Sequence, residues 1–206
     1  MTYSREAPSS RYYELTSLYR DYHAARQDRY LGHSLRPHVA TIKKLIDETG
    51  AKSVLDYGSG KGQLYKQQEP SIPGGSIMSF WGVDEIACYD PGVAEYSTIP
   101  DRQFDGVIST DVMEHIPESD VPWIVAEMFS HARRFVYANI ANYPALKNLA
   151  NGENAHCTQK PIGWWKAIFD AAATPGVAYR IEVQSRYRIP IIGKVIRRDA
   201  VATGPI

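Results

Sequence analysis

Residues 53–62 read SVLDYGSGKG, and the order of residue types within them decides the fold. Ser53 to Tyr57 form a short run with Val54 and Leu55 at its centre, the pattern of a buried strand. Gly58, Gly60 and Gly62 then fall on alternate positions, where missing side chains let the backbone turn tightly and approach a bound ligand. A helical pattern resumes behind them. Strand, glycine loop and helix in succession make one α/β unit. The spacing is GxGxG, which differs from the GxGxxG fingerprint of dinucleotide binding.

Upstream of this unit, Pro37 starts a predicted helix over 38–48, with Val39, Ile42, Leu45 and Ile46 on one side and Gly50 just past its end. Residues 1–38 are rich in Tyr, Arg and His, with Tyr12, Tyr19 and Tyr22 partly at helical intervals, and read as an N-terminal helical appendage or lid. Tyr30 belongs to the same aromatic set. Downstream, residues 69–76 (EPSIPGGS) read as a surface loop, and a strand is expected within 80–89, ending at Asp90-Pro91-Gly92. A compact buried strand follows over 104–110, then a helix over 118–131 and a strand over 134–141. A polar loop at 151–156 leads to a helix over 161–172 that carries Trp164, Trp165, Ile168 and Phe169. Two closing strands, 178–187 and 190–197, are linked closely enough to be antiparallel.

The alternation predicts an α/β fold: a Rossmann-like, doubly wound, mostly parallel sheet with an antiparallel C-terminal hairpin strand. The sheet is shortened around its third strand, because residues 91–103 leave no room for a helix and a strand. One domain is expected over 1–206, with its core in 39–206. Ligands of such sheets bind outside the carboxyl ends of the strands, so the chemistry is expected after Asp56, Asp90, Thr110 and Ala141.

Composition narrows the classes of function. Apolar residues make up 44% and charged residues 22%, which excludes global disorder. Cys88 and Cys157 are too few for a disulfide framework and form no Cys/His cluster with metal spacing, so no metal site is expected. The amino terminus lacks the apolar core of a signal peptide, and no apolar run approaches the roughly 18 residues of a membrane span. A cytoplasmic protein with no membrane partner is expected. With 23 basic and 23 acidic residues the chain exerts no overall pull on a polyanion, so nucleic acid is not an expected partner. The charges are unevenly spread: residues 84–127 hold eleven acids against the single base Arg102, and residues 180–206 hold six bases against two acids.

Three stretches carry a resemblance to a known family. VLDYGSGKG (54–62), CYDP (88–91) and FDGVISTDVMEHI (104–116) resemble the first, second and fourth-strand motifs of class I S-adenosylmethionine-dependent methyltransferases. The resemblance covers roughly residues 53–140, with a looser match in the closing hairpin. It implies that the chain binds S-adenosylmethionine, releases S-adenosylhomocysteine and methylates a small-molecule acceptor. It further implies that Asp56, Gly58 and Gly60, in the loop that ends with Gly62, line the methionine end of the cofactor. Asp90 would then hold the ribose, and Thr110 and Asp111 would border the sulfonium. Asp56 and Asp90 stand 34 positions apart, against about 20 in the dinucleotide fold, and the nearer Asp84 competes for the ribose role. His115 and His156 are the candidate general bases for an acceptor hydroxyl or amine. Two other readings remain open: a nucleic-acid methyltransferase, and a regulatory protein that binds S-adenosylmethionine without turnover. A methyltransferase acting on exocyclic amines of bases would normally show Asn/Asp-Pro-Pro-aromatic where this chain reads Thr110-Asp111-Val112-Met113.

Overall fold

Strand β1 (Ser53–Tyr57) is buried along nearly its whole length and is paired on both sides. In the computed structural model, which describes residues 3–26, 31–146, 148–188 and 195–204, β1 runs parallel to β2 (Glu85–Tyr89) and β3 (Phe104–Thr110). Strand β3 pairs in parallel with β4 (Ala132–Asn142) and β4 with β5 (Ala178–Arg188), while β6 (Val195–Gly204) lies antiparallel to β5. The order β2-β1-β3-β4-β5-β6 is a Rossmann-like, mostly parallel sheet with one antiparallel edge strand, as the sequence predicts.

Alternation along the strands sends neighbouring side chains to opposite faces. Leu55, Val107, Val136 and Ala138 join one cluster with Ile124, Met128, Phe129, Trp165 and Phe169, which come from α5 (Val121–His131) and α6 (Ile162–Ala172). Val54, Ile108, Phe135 and Tyr137 join the other with Ile42 and Ile46 of α2 (Val39–Thr49). Both faces of the central strands are therefore dry, which is why they read as continuous apolar runs. The tryptophan pair belongs to this packing: Trp165 is fully buried and donates from Nε1 to the Lys160 carbonyl, and Trp164 stands edge-on to it at 4.8 Å.

Between β1 and β2 the chain makes two short helices, α3 (Gln63–Lys66) and α4 (Ile77–Trp81), where one long helix is usual for the fold. Pro70, Pro73, Gly74 and Gly75 break the helix between them, which accounts for the long spacing from Asp56 to Asp90. Phe80 and Trp81, inside the window expected to hold a strand, instead close α4, and Trp81 is buried with a hydrogen bond to the Val39 carbonyl. Gly82 at φ 67° ends the helix and lets the strand begin only at Glu85. Residues 91–103 hold one 3-10 turn, Ala94–Tyr96, before the chain crosses to β3, so β2 is an edge and the sheet is shortened where expected.

The closing strand runs on to Gly204, past the predicted end at 197, because it pairs with β5 over the whole range from Arg188↔Val195 to Tyr179↔Gly204. Its predicted start at 190 and Tyr30 of the aromatic set lie outside the described residues.

The amino-terminal segment is tied to α5. Asp120, fully buried, accepts hydrogen bonds from the Ser9 backbone N–H, the Ser9 and Ser119 hydroxyls and the Trp123 indole. The Ser9 hydroxyl in turn accepts from Tyr12 N–H and caps helix α1 (Ser10–Ala25). Arg5 adds an ion pair to Glu127, whose carboxylate also accepts from the Tyr57 hydroxyl. Burial works against charge on Asp120, but its donors outweigh that effect and hold its carboxyl below the ordinary value of 3.8. This anchor is complete above pH 3.8 and is lost as pH falls through the folded-state value. Asp120→Ala is expected to destabilise the protein by about 1–3 kcal/mol, since it leaves buried donors unpaired. Limited proteolysis at neutral pH should then cut first within residues 3–26. A variant whose amino-terminal segment resists protease as wild type does would show that the anchor lies elsewhere.

Candidate active site

The carboxyl ends of β1, β2 and β3 open into a cleft of about 600 Å³ roofed by α1. Its floor is the glycine loop. The Gly58 and Ser59 amides donate to the Tyr89 carbonyl at the end of β2, and the Gly60 amide donates to Asp90 Oδ2 at 2.8 Å. Gly58 has φ 89°, and a Cβ there would lie 2.3 Å from Val112 Cγ2, so no side chain fits. Gly62, at φ 56°, faces away from the cleft, where a Cβ would meet Cys88 Sγ at 2.8 Å. Of the three glycines, Gly58 and Gly60 line the cleft and Gly62 packs the loop against β2.

The three acids of the first half are sorted by the strands. Asp84 precedes β2, is exposed and lies at the amino end of the sheet, away from the cleft. Asp90 follows β2 and lines the cleft. Its Oδ1 accepts from Gly92 N–H and its Oδ2 from Gly60 N–H, which leaves each oxygen able to accept once more. Burial pushes the Asp90 carboxyl upward, opposed by the nearby His23. Asp56 sits beneath the loop rather than in the lining; its Oδ2 accepts from the Tyr65 hydroxyl and its Oδ1 is buried without a partner. Burial raises the Asp56 carboxyl to about 7, against the opposing bond from Tyr65 and with help from Asp90.

The far end of the cleft is built from the turn after β3 and the loop after β4. Thr110 ends β3, and its hydroxyl lies 3.4 Å from that of Ser34 in the segment crossing the glycine loop. Asp111 follows at φ 56°, the one non-glycine residue with positive φ among those described, and is exposed to the cleft. His115 and His156 come together with ring centroids 4.8 Å apart. His115 Nδ1 contacts the Ala155 carbonyl at 2.8 Å and the Tyr19 hydroxyl at 2.7 Å, while His156 Nδ1 contacts the Tyr143 carbonyl at 2.6 Å. A carbonyl only accepts, so each Nδ1 carries the proton and each Nε2 presents a lone pair. Burial, then the neighbouring His156, lowers His115 to about 4; burial also lowers His156, opposed by its bond to Tyr143 and by Asp111. Both rings are neutral at pH 7.

Several cleft residues were not predicted from sequence. His23 projects from the roof beside Tyr19, which belongs to the aromatic set expected in the appendage or lid, and Tyr143 and Arg186 close the end beside His156. The Arg186 guanidinium stacks 3.9 Å from the Tyr143 ring centroid. Glu114, behind the two histidines, is fully buried; its Oε1 accepts from Ala141 N–H, and its Oε2 has no partner. The tyrosine spacing in 12–22 was a signal for the roof, whereas Arg186 lies in a strand whose sequence gives no sign of it.

No protein-family model matches the sequence, and no curated protein matches it either. Among solved structures the chain is similar to Burkholderia thailandensis 1,6-didemethyltoxoflavin-N1-methyltransferase with bound 1,6-didemethyltoxoflavin and S-adenosylhomocysteine. That match has a TM-score of 0.54 and 15% identity, and covers 96% of this chain and 91% of that one. A DhpI–SAH complex aligns over 92% of this chain and 80% of its own at a TM-score of 0.35 and 14% identity, too distant to support an argument. The first match establishes a shared Rossmann-like fold.

The raised Asp56 makes a pH test of the floor. Its folded value of about 7 exceeds the ordinary 3.8, so the folded chain holds a proton that the unfolded chain releases. Its contribution to stability is complete below pH 3.8 and is lost as pH rises through about 7. The melting temperature is expected to fall between pH 5 and pH 8, with a shallower fall in Asp56→Asn. An unchanged slope in that variant would assign the dependence to other groups.

Proposed function

We propose that this chain binds S-adenosylmethionine across the glycine loop and transfers its methyl group to a small-molecule acceptor, leaving S-adenosylhomocysteine. One observation carries the reading. Gly58, Gly60 and Asp90 are clasped together at one end of a cleft whose other end holds two neutral imidazoles with their lone pairs unspent. The cleft volume of about 600 Å³ lies within the range of small-molecule sites. The solved protein that shares the fold binds S-adenosylhomocysteine and a small acceptor, which supports the same pairing here.

The residues present fit the group. Asp90 can still accept from both ribose hydroxyls, because each of its oxygens has spent only one acceptor site on the loop. His23, Pro91 and Gly92 stand beside it and would take the adenosine side. Asp111 and the Thr110 end of β3 would border the cationic sulfonium, a favourable place for negative charge. When bound, S-adenosylmethionine supplies an electrophilic methyl group, and the protein's part is to align an acceptor with it and exclude water. Tyr19, His115 and His156 would wall the acceptor, with an imidazole Nε2 taking a hydrogen bond or proton from it. The acidic run over 84–127 places Asp90 and Asp111 in the cleft, which favours a small acceptor over a polyanion.

Titration calorimetry with S-adenosylhomocysteine is expected to give a binding isotherm, and the absence of heat at millimolar ligand would end this reading. Asp90→Ala should weaken binding by about 1.5–3 kcal/mol, the worth of hydrogen bonds to a charged acceptor. Asp84→Ala, at the other end of β2, should leave affinity unchanged. His156→Ala is expected to lower turnover more than it lowers affinity for S-adenosylhomocysteine. The reverse order would move His156 to the cofactor end.

A further inference from the structure

Glu114, His115 and His156 form a second kind of site at the wall of the cleft, where both histidines line it and Glu114 is buried behind them. One potential ligand atom from each lies within 4.8 Å of the others. They come from two places: Glu114 and His115 from the 3-10 turn after β3, and His156 from the loop after β4. Each imidazole gives its Nδ1 proton to a backbone carbonyl, Ala155 for His115 and Tyr143 for His156. That is the arrangement by which metal-binding histidines are oriented, because it fixes the tautomer and leaves Nε2 as the donor. The carboxylate adds an independent sign. Glu114 is fully buried, one oxygen holds the Ala141 amide, and Oε2 has no partner at all. A buried carboxylate oxygen without a partner is costly, and a cation beside it removes the cost.

We propose that Glu114, His115 and His156 bind a divalent cation. Two ligands each about 2.1 Å from an ion lie at most about 4.2 Å apart. One nitrogen of each ring and one carboxylate oxygen already lie within 4.8 Å of one another, so an ion would have to draw them closer by rotation of a ring or of the carboxylate. Two imidazoles and a carboxylate favour Mn²⁺, Fe²⁺, Co²⁺ or Zn²⁺ over Ca²⁺, which takes six to eight oxygens. Three protein ligands leave positions open towards the cleft, since both histidines line it. An acceptor hydroxyl could occupy one of them and lose its proton more easily. That use of the ion rests on the methyl-transfer reading, in which the imidazoles then act through the ion instead of as free bases. The binding itself does not rest on that reading.

Untagged protein, stripped with a chelator and dialysed, is titrated with Co²⁺ and followed by the visible absorption of the bound ion. Uptake of one ion per chain is expected, with at least about tenfold weaker binding in Glu114→Gln and His156→Gln. His131→Gln, at a histidine on α5 outside the cleft, should bind as wild type does. Thermal melts identify a Glu114→Gln protein that fails to fold; His156→Gln, on a loop, then carries the test. No uptake at millimolar Co²⁺, or uptake that His156→Gln leaves unchanged, overturns the proposal. S-adenosylhomocysteine is titrated into the same samples without metal. Wild type that takes up Co²⁺ but not this ligand keeps the metal site and refutes methyl transfer, and the opposite result does the reverse.

Discussion

The clasp between the glycine loop and the end of β2 sets the geometry on which the rest of the cleft depends. Amides of Gly58 and Ser59 converge on the Tyr89 carbonyl, and the Gly60 amide reaches Asp90. These bonds spend the amides of Gly58, Ser59 and Gly60 inside the protein. The floor therefore meets a ligand with backbone surface and with acceptors, a surface suited to hydroxyls and positive charge more than to phosphate. The same bonds hold Asp90 at a fixed height above β1, so the acid and the loop form one rigid piece. Burial gathers around it, in the carboxyls of Asp56 and Asp90, both pushed upward by desolvation, while glycines take the positive φ that the loop requires.

A second set of polar contacts, far from the floor, places the roof. Asp120 gathers four donors at the start of α1, and Glu127 bridges Arg5 to Tyr57 of β1. Tyr12 adds an edge-on contact to Trp123 at 5.3 Å. From this footing α1 reaches back across the cleft, so that Tyr19 meets His115 and His23 comes beside Asp90. Strand β2 is an edge of the sheet, and the amino-terminal segment occupies the side of the cleft next to it.

Much of the fold was legible because it is written in local periods. The runs at 53–57 and 104–110 are buried on both faces and have no helical spacing, and the glycines mark the turn between strand and helix. The choice between Asp84 and Asp90 was not legible. It turns on whether Phe80 and Trp81 belong to a strand or a helix, and Trp81 is drawn into α4 by its burial against α2 and its bond to Val39. His115 and His156 could be named from sequence, but their pairing could not, because 41 positions separate them and only the β4 crossover brings them together. Glu114 looked like an ordinary acid beside a histidine; its burial and its unpartnered oxygen are tertiary facts. Arg186 was silent for the same reason.

Because α1 supplies one wall of the cleft and is not part of the sheet, any molecule that touches both wall and floor couples the two. Reciprocity then applies: whatever free energy a ligand gains from the docked helix, the helix gains from the ligand. The protection of the amino-terminal amides against hydrogen exchange should therefore rise with occupancy, and occupancy should rise with anything that tightens Ser9 on Asp120. In this protein the affinity of the pocket and the order of the amino terminus are two measures of one equilibrium.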